Sequence, residues 1–384
     1  MMIMYTLQQK LTLVLLLLLP FTLWTQTPGS GKPIRVGLIG CDSHGMWFGP
    51  QMQKHDPVLL SSPLSMKQSG KYTWQLDKPG NYTWMHGGVH YYFYTSYPEP
   101  TIMTAPFVEG FEIVKVWDKD RTAAELAAKI FNSSPEVCDS YEAVSDDVDL
   151  VFIADCNWDG SDHLKLATPG LKKGVPTFVD KPFAHRMEDV VAMLDLAEEN
   201  NAPIMSLSII QTLPETREFA SRLAELDQVN FGTIQGGGTK RAGLIHTICY
   251  ALAVYGPDVE SVSALVTPNH TSIHLNWGDR PDRPKQGVMI NCDIGRTWHG
   301  SMHMSAYGPG GRGAIHNQGV GSWEYPQGSA EILRLVKKMV ETGKPQGPVN
   351  QLIEAVAIAD AADVAMQAGT SQLVKVVRPI PKIK

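Results

Sequence analysis

The chain lacks a basic excess. Lys and Arg total 33 against 39 Asp and Glu, a formal net charge of −6 over 384 residues. A surface that tracks a phosphate backbone needs the opposite balance, so nucleic acid is excluded as a main partner. Cysteine is scarce, at five residues (41, 138, 156, 249 and 292), and no Cys/His group has zinc spacing. A structural zinc module is therefore excluded and no metal site is expected. An odd count leaves at least one thiol without an intramolecular partner. Buried free thiols are the expectation, with a Cys41–Cys156 bridge as the alternative because both would close neighbouring strands. No apolar run reaches the roughly 20 residues of a membrane span. The longest, Leu11 to Leu19 after Lys10, is of secretory-leader length. Without a lipobox cysteine or a twin arginine, that leader predicts export of an unfolded chain, cleavage near residue 28, and a periplasmic or secreted protein that does not stay in the membrane. The alternative is an uncleaved membrane anchor.

What is present is a series of short apolar runs that each end on a polar or glycine-rich turn. Ile34-Arg35-Val36-Gly37-Leu38-Ile39-Gly40 runs into Cys41-Asp42-Ser43-His44-Gly45. The glycines Gly37, Gly40 and Gly45 approximate a dinucleotide-binding turn, with Asp42 where the second glycine of the strict motif would stand. Phe111 to Trp117 ends on Asp118, a carboxylate placed to accept hydrogen bonds from an adenosine ribose, favouring NAD over NADP. Leu150 to Ala154 leads to Asp155-Cys156-Asn157, then His163 and a helical stretch into Gly174. Val175 to Val179 ends on Asp180-Lys181-Pro182-Phe183. Apolar strands alternating with helices predict a doubly wound parallel sheet. Ligands bind at the carboxyl ends of such strands, where all these polar residues fall.

Downstream, a helix is expected over 187–199 and a strand around 203–207. A second, α+β domain follows. Its expected helices cover 214–226, 241–255, 329–342 and 350–368, and its strands 229–237, 260–267, 287–293 and 301–307, which alternate as in a mostly antiparallel, one-sided sheet. Residues 46–110 are a long interruption rich in aromatics, including Trp47, Trp74, Trp84 and the run Tyr91-Tyr92-Phe93-Tyr94. Such a segment either packs on itself as surface decoration or forms an aromatic wall or subunit contact beside the crevice.

The ordered set of strand-glycine loop, Val116-Trp117-Asp118, Ile153-Ala154 to Asn157, His163, Gly174 and Asp180-Lys181-Pro182 resembles the Gfo/Idh/MocA oxidoreductases, over about residues 33 to 378. That family usually has Glu-Lys-Pro here, and a glycine-rich turn followed by an aspartate and a histidine on one helix. In this chain Gly236-Gly237-Gly238 and His246 match, Ala242 replaces the aspartate, and Gln211 replaces a common arginine.

The resemblance implies a Rossmann-type domain over 33–207, carrying the 46–110 insertion, and a substrate or oligomerisation domain over 208–378. It implies NAD as cofactor, held by Gly37, Gly40, Asp42, Ser43, His44, Gly45, Asp118, Asp155, Asn157, His163, Asp180 and Lys181. Lys181 and His246 are the implied catalytic residues. A histidine, whose ordinary pKa lies near neutrality, suits removal of a hydroxyl proton, and Lys181 would polarise the same oxygen. Lys240 and Arg241 could add positive charge. The expected reaction is oxidation of a secondary alcohol of a sugar or cyclitol by a homo-oligomer. The alternatives are lyase or glycosidase chemistry on carbohydrate through transient oxidation, and a non-catalytic sugar-binding relative.

Overall fold

The expected apolar runs become strands in a fixed order. In the computed structural model, which describes residues 31–61, 92–94, 102–154, 157–292, 301–309, 313–316, 319–321, 323–368 and 374–375, β1 is Ile34–Ile39, β2 Phe111–Trp117, β3 Glu136–Val137, β4 Leu150–Ile153, β5 Thr177–Val179 and β6 Ile204–Met205. They form one sheet in the order β3-β2-β1-β4-β5-β6, and every pairing in it is parallel. The order reverses between β1 and β4, which opens a crevice at their carboxyl ends. Every residue of β4 and β5 is buried, the reason their sequences read as unbroken apolar runs.

The crossover from β1 begins with α1, Ser43–Met52. Its Phe48 packs on Phe152 of β4 and Phe178 of β5, which are themselves stacked with centroids 4.6 Å apart. Each such fully buried ring contributes roughly 1.5–3 kcal/mol. The other helices of this part are α2 (Arg121–Ile130), α3 (His163–Lys172) and α4 (Met187–Glu199). Asp120 caps α2 by accepting a hydrogen bond from the Thr122 amide.

The second sheet is built from β7 (Phe231–Gln235), β8 (Ser261–Thr267), β9 (His270–Asn276), β10 (Val288–Cys292), β11 (Ser301–Tyr307), β12 (Ala314–His316), β13 (Val320–Gly321) and β14 (Val374–Lys375). Its order is β12-β11-β7-β10-β9-β8-β14, with β13 on β11. Two features depart from the sequence expectation. β9 occupies a stretch in which no strand is expected, and β7 pairs with β10 in parallel inside an otherwise antiparallel sheet. Helices α5 (Pro214–Arg222), α6 (Arg241–Tyr255), α7 (Tyr325–Thr342) and α8 (Val349–Ala368) complete this part. α6 and α8 pack together against the sheet, and α8 returns to α4 of the first part, so Pro33–Lys384 forms a single compact unit.

The leader expected at 1–28 and most of the 46–110 insertion lie outside the described residues. Within the insertion's range, α1, a short helix at Pro57–Ser61 and residues 92–94 and 102–110 are described. No helix among the described residues is long and apolar enough to cross a membrane. Cys41, Cys138 and Cys249 are free and buried, and Cys292 is buried. Cys156 is outside the described residues.

Candidate active site

Two glycine turns build the site. At the first, Gly40 has φ 87°, and its amide donates to the Trp117 carbonyl at 2.9 Å. α1 then starts at Ser43, so its first amides face the crevice. A Cβ on Gly45 would overlap the Gly40 carbonyl oxygen. The helix can approach the turn this closely only because position 45 has no side chain. Gly45→Ala should therefore lower the melting temperature, by the roughly 1–3 kcal/mol typical of overpacking. It should also weaken NAD binding about tenfold, because the amides are displaced. Thermal unfolding and calorimetry check this, and two unchanged values would contradict it. The second turn repeats the device. Gly236, Gly237 and Gly238 have φ 110°, 88° and 69°, and a Cβ on Gly243 in the first turn of α6 would overlap the Gly237 carbonyl oxygen.

The carboxyl ends of β2 and β5 supply the acids. One Asp118 oxygen accepts the Cys41 amide at 2.7 Å and the other accepts the Asp120 amide at 2.8 Å. Burial pushes the Asp118 carboxyl above its ordinary pKa, and these two amides oppose the shift. Donors from a ribose would ease that burial further. Asp180 is buried and hydrogen-bonded to His44 of α1, 136 residues away. Burial by itself would push its carboxyl up. The His44 ring and the neighbouring Lys181 instead hold it below the usual carboxylate range.

Lys181, 2% exposed, follows directly. Its Nζ donates to the Ala242 carbonyl oxygen at 3.5 Å, which ties the end of β5 to the first turn of α6. The Lys181–Pro182 peptide is cis. One helical turn beyond Ala242, His246 is buried, with its Nδ1 2.7 Å from the Ser208 hydroxyl. Ser208 lies just beyond β6 and also accepts the Ile210 amide at 3.3 Å. Sequence reasoning did not single out this serine. Its local signal, a Ser208 and Gln211 capping box, reports only a helix start. Gln211, at the position of the family's arginine, donates to Gln351 at 3.1 Å.

The remaining expected residues divide. Gly37 lies inside β1, where a Cβ would overlap the Val144 carbonyl oxygen, so its bareness serves strand packing. Asp42 is the N-cap residue of α1, and its carbonyl accepts the Gly45 and Met46 amides. Ser43 opens α1, and its side chain is outside the described set, as is Asp155. Asn157 turns its side chain onto its own loop, accepting the Gly160 amide at 2.8 Å and donating to Ser161 at 3.0 Å. His163 is buried with Nδ1 3.3 Å from the Phe183 carbonyl oxygen, so it fastens the loop that follows Lys181. Lys240 is exposed, and Arg241 forms ion pairs at 2.8 Å with both Asp360 and Asp363 of α8. The added positive charge expected from Arg241 is thus neutralised by carboxylates contributed from a distant helix.

The residues present fit a dinucleotide. A glycine turn at a helix N-terminus borders the strand-order reversal, and a carboxylate ends the neighbouring second strand on the same side of it. Among the described residues no group of three His, Cys, Asp or Glu could hold a metal ion. A cavity of about 520 Å³ lined by Leu223, Gln228, Tyr255 and Arg283 contains none of these site residues.

Comparison with known proteins agrees with this geometry. Residues 94–207 match the Gfo/Idh/MocA family model, described as an oxidoreductase family with an NAD-binding Rossmann fold. No curated protein matches the sequence. Solved structures share the fold over nearly the whole chain. Myo-inositol 2-dehydrogenase from Lactobacillus plantarum is 14% identical with a TM-score of 0.61, covering 90% of this chain and 100% of its own. Myo-inositol dehydrogenase from Corynebacterium glutamicum is 15% identical with a TM-score of 0.59 and the same coverage. An oxidoreductase from Agrobacterium radiobacter, solved with NAD+, L-tartaric acid and magnesium, is 16% identical with a TM-score of 0.59, covering 90% of this chain and 99% of its own. At these identities the likeness establishes the fold. With the family match, residues 94–207 are similar to the NAD-binding Rossmann domain of the Gfo/Idh/MocA oxidoreductases.

Proposed function

We propose that this chain is an NAD-dependent oxidoreductase acting on a secondary alcohol of a sugar or cyclitol. The observation that carries the reading is the convergence of Lys181 and His246. The Lys181 Nζ lies 3.5 Å from the carbonyl oxygen of Ala242, one helical turn before His246. The two side chains come from different parts of the chain, and both stand at the carboxyl end of the parallel sheet.

A bound nicotinamide would supply the two-electron acceptor. Lys181 would donate a hydrogen bond to the substrate oxygen as negative charge develops on it, inside a water-poor cleft. His246 would take the hydroxyl proton on Nε2, with its Nδ1 proton held by Ser208. The hydroxyl of Ser208 thus does part of what the family's aspartate would do at position 242. It orients the ring without adding a negative charge. The sugar and cyclitol class is supported by the inositol dehydrogenases that share the fold.

The test is addition of NAD and a panel of inositols and aldoses to the purified protein. Reduced-nicotinamide absorbance should appear with at least one of them, and cofactor binding without any turnover would favour a decayed sugar-binding site. Export, proposed from the leader at 1–28, favours a second reading. A compartment without a nicotinamide pool suits lyase or glycosidase chemistry in which a retained cofactor is oxidised and reduced within one cycle. Cofactor released on denaturing the protein, with substrate cleaved but no net absorbance change, would select this second reading. We propose that the active protein is a homo-oligomer.

Cofactor choice follows from Asp118. Two like charges about 4 Å apart in a protein-like medium repel by on the order of 4 kcal/mol. A 2′-phosphate beside this carboxylate is therefore disfavoured. Calorimetric titration should find NAD bound at least about tenfold more tightly than NADP, and the reverse order would remove Asp118 from the ribose site.

A further inference from the structure

We propose that Asp360 of α8 is a positioning residue for Lys181, because it joins the two chain segments that meet at the Lys181 side chain. This rests on the reading of Lys181 as the group that donates to the substrate oxygen. The backbone that leaves Lys181 runs through Pro182 and Phe183 into α4, whose N-cap residue, Arg186, makes no side-chain cap. Asp360 supplies one from α8. Its Oδ2 accepts the amide of Met187, the first residue of α4, at 3.3 Å. The positive end of the helix dipole also favours a carboxylate there. The other oxygen, Oδ1, accepts from Arg241 Nη2 at 2.8 Å. Arg241 opens α6, and the next residue, Ala242, offers the carbonyl oxygen that accepts from Lys181 Nζ. One carboxylate therefore holds both the segment that Lys181 leads into and the helical turn on which its Nζ rests.

The Arg241 side chain is 8% exposed, so its guanidinium depends on its carboxylate partners for the solvation it has lost. Among the described residues, its Nε and Nη1 have no hydrogen-bond partner, which leaves Nη2 to make the contacts to Asp360 and Asp363. Of these two acids, Asp360 is the one that also binds the α4 amide. The middle of the loop between Lys181 and α4 is fastened separately. Phe183 and Ala184 are buried, and His163 meets the Phe183 carbonyl oxygen. Loss of the Asp360 carboxylate should thus loosen the two segments at Lys181 without unfolding the sheet. The placement of a donor matters steeply to the rate, since a displacement of about 1 Å can cost about a hundredfold. Asp360 acts through Arg241 and the Met187 amide, so it positions the lysine and does not itself take part in the reaction.

The test uses the full chain and a readout that needs no substrate. Acetic anhydride acylates amines that reach solvent, and peptide mass spectrometry follows each lysine separately. Lys181 is 2% exposed and should react slowly, with exposed Lys240 as the fast reference. In Asp360→Ala, Lys181 should react about tenfold faster relative to Lys240, the ratio expected for loss of a hydrogen bond to a charged group. Asp360→Glu keeps the carboxylate and should restore most of the protection. Lys115 of β2, 14% exposed and three strands from β5, is the control and should be unchanged in both variants. With a substrate from the panel, Asp360→Ala should lower kcat about tenfold or more while KM and NADH affinity stay nearly constant, and Asp360→Glu should recover most of the loss. Unchanged labelling of Lys181 in Asp360→Ala would overturn the proposal. An equal rise at Lys115 would also overturn it, by making Asp360 a general packing contact. Faster labelling of Lys181 with unchanged kcat would uphold the positioning role and count instead against the catalytic reading of Lys181.

Discussion

Replacing Lys181 by alanine should lower turnover about a hundredfold or more while leaving NAD(H) affinity nearly unchanged. The side chain is buried at the end of β5, and its Nζ donates to the Ala242 carbonyl at a long 3.5 Å. A preorganised donor aimed at developing negative charge in such a site contributes on the order of 3 kcal/mol to the transition state. By the rate equation this corresponds to a factor of about a hundred or more. Removing a buried charge is not expected to unfold the protein, since its desolvation opposes folding. Lys181→Met, which retains the aliphatic stem, separates loss of charge from loss of packing. The measurements are kcat with a substrate found in the panel, the melting temperature, and NADH affinity. Near-normal turnover in both variants would make Lys181 only a strand terminus and would withdraw the proposed mechanism.

His246→Gln should lower kcat by about 10² to 10⁴, the usual range for loss of a general base. Glutamine keeps much of the volume beside Tyr325 and Ser208, so the packing of α6 should be little disturbed. The titrating limb of the pH–rate profile should vanish with the imidazole. Ser208→Ala should be milder, about tenfold, because the ring would remain but lose the partner that orients it. A Ser208→Thr variant keeps a hydroxyl and should recover most of that loss. If His246→Gln preserved both kcat and the pH profile, the histidine would be a packed core residue and Ser208 only its hydrogen-bond partner.

The parts that could be read from the sequence share a physical cause. A parallel strand buried on both faces needs an unbroken apolar run. The chain can carry polar chemistry only where that run ends. Gly40, Asp118, Asn157, Asp180 and Lys181 each follow a strand run, unbroken in β4 and β5 and interrupted by Arg35 in β1 and by Glu112 and Lys115 in β2, so their places at the carboxyl ends of the sheet were legible before any contact was known. The second sheet was less legible. β9 was missed, and the parallel pairing of β7 with β10 could not be inferred, because strand alternation reports which face is buried and not which neighbour lies alongside.

The sequence by itself therefore determined the parallel sheet and which polar residues follow the carboxyl ends of its strands. Only the tertiary structure decided how those residues are held. It joined His44 to Asp180 across 136 positions and Ser208 to His246 across 38. It withdrew Arg241 into ion pairs with α8 and set Asp360 between Arg241 and the start of α4. Local periodicity encodes which side of an element faces the core. Contacts between distant elements depend on crossing geometry and on close approach at Gly45 and Gly243, and neither leaves a regular spacing in the chain.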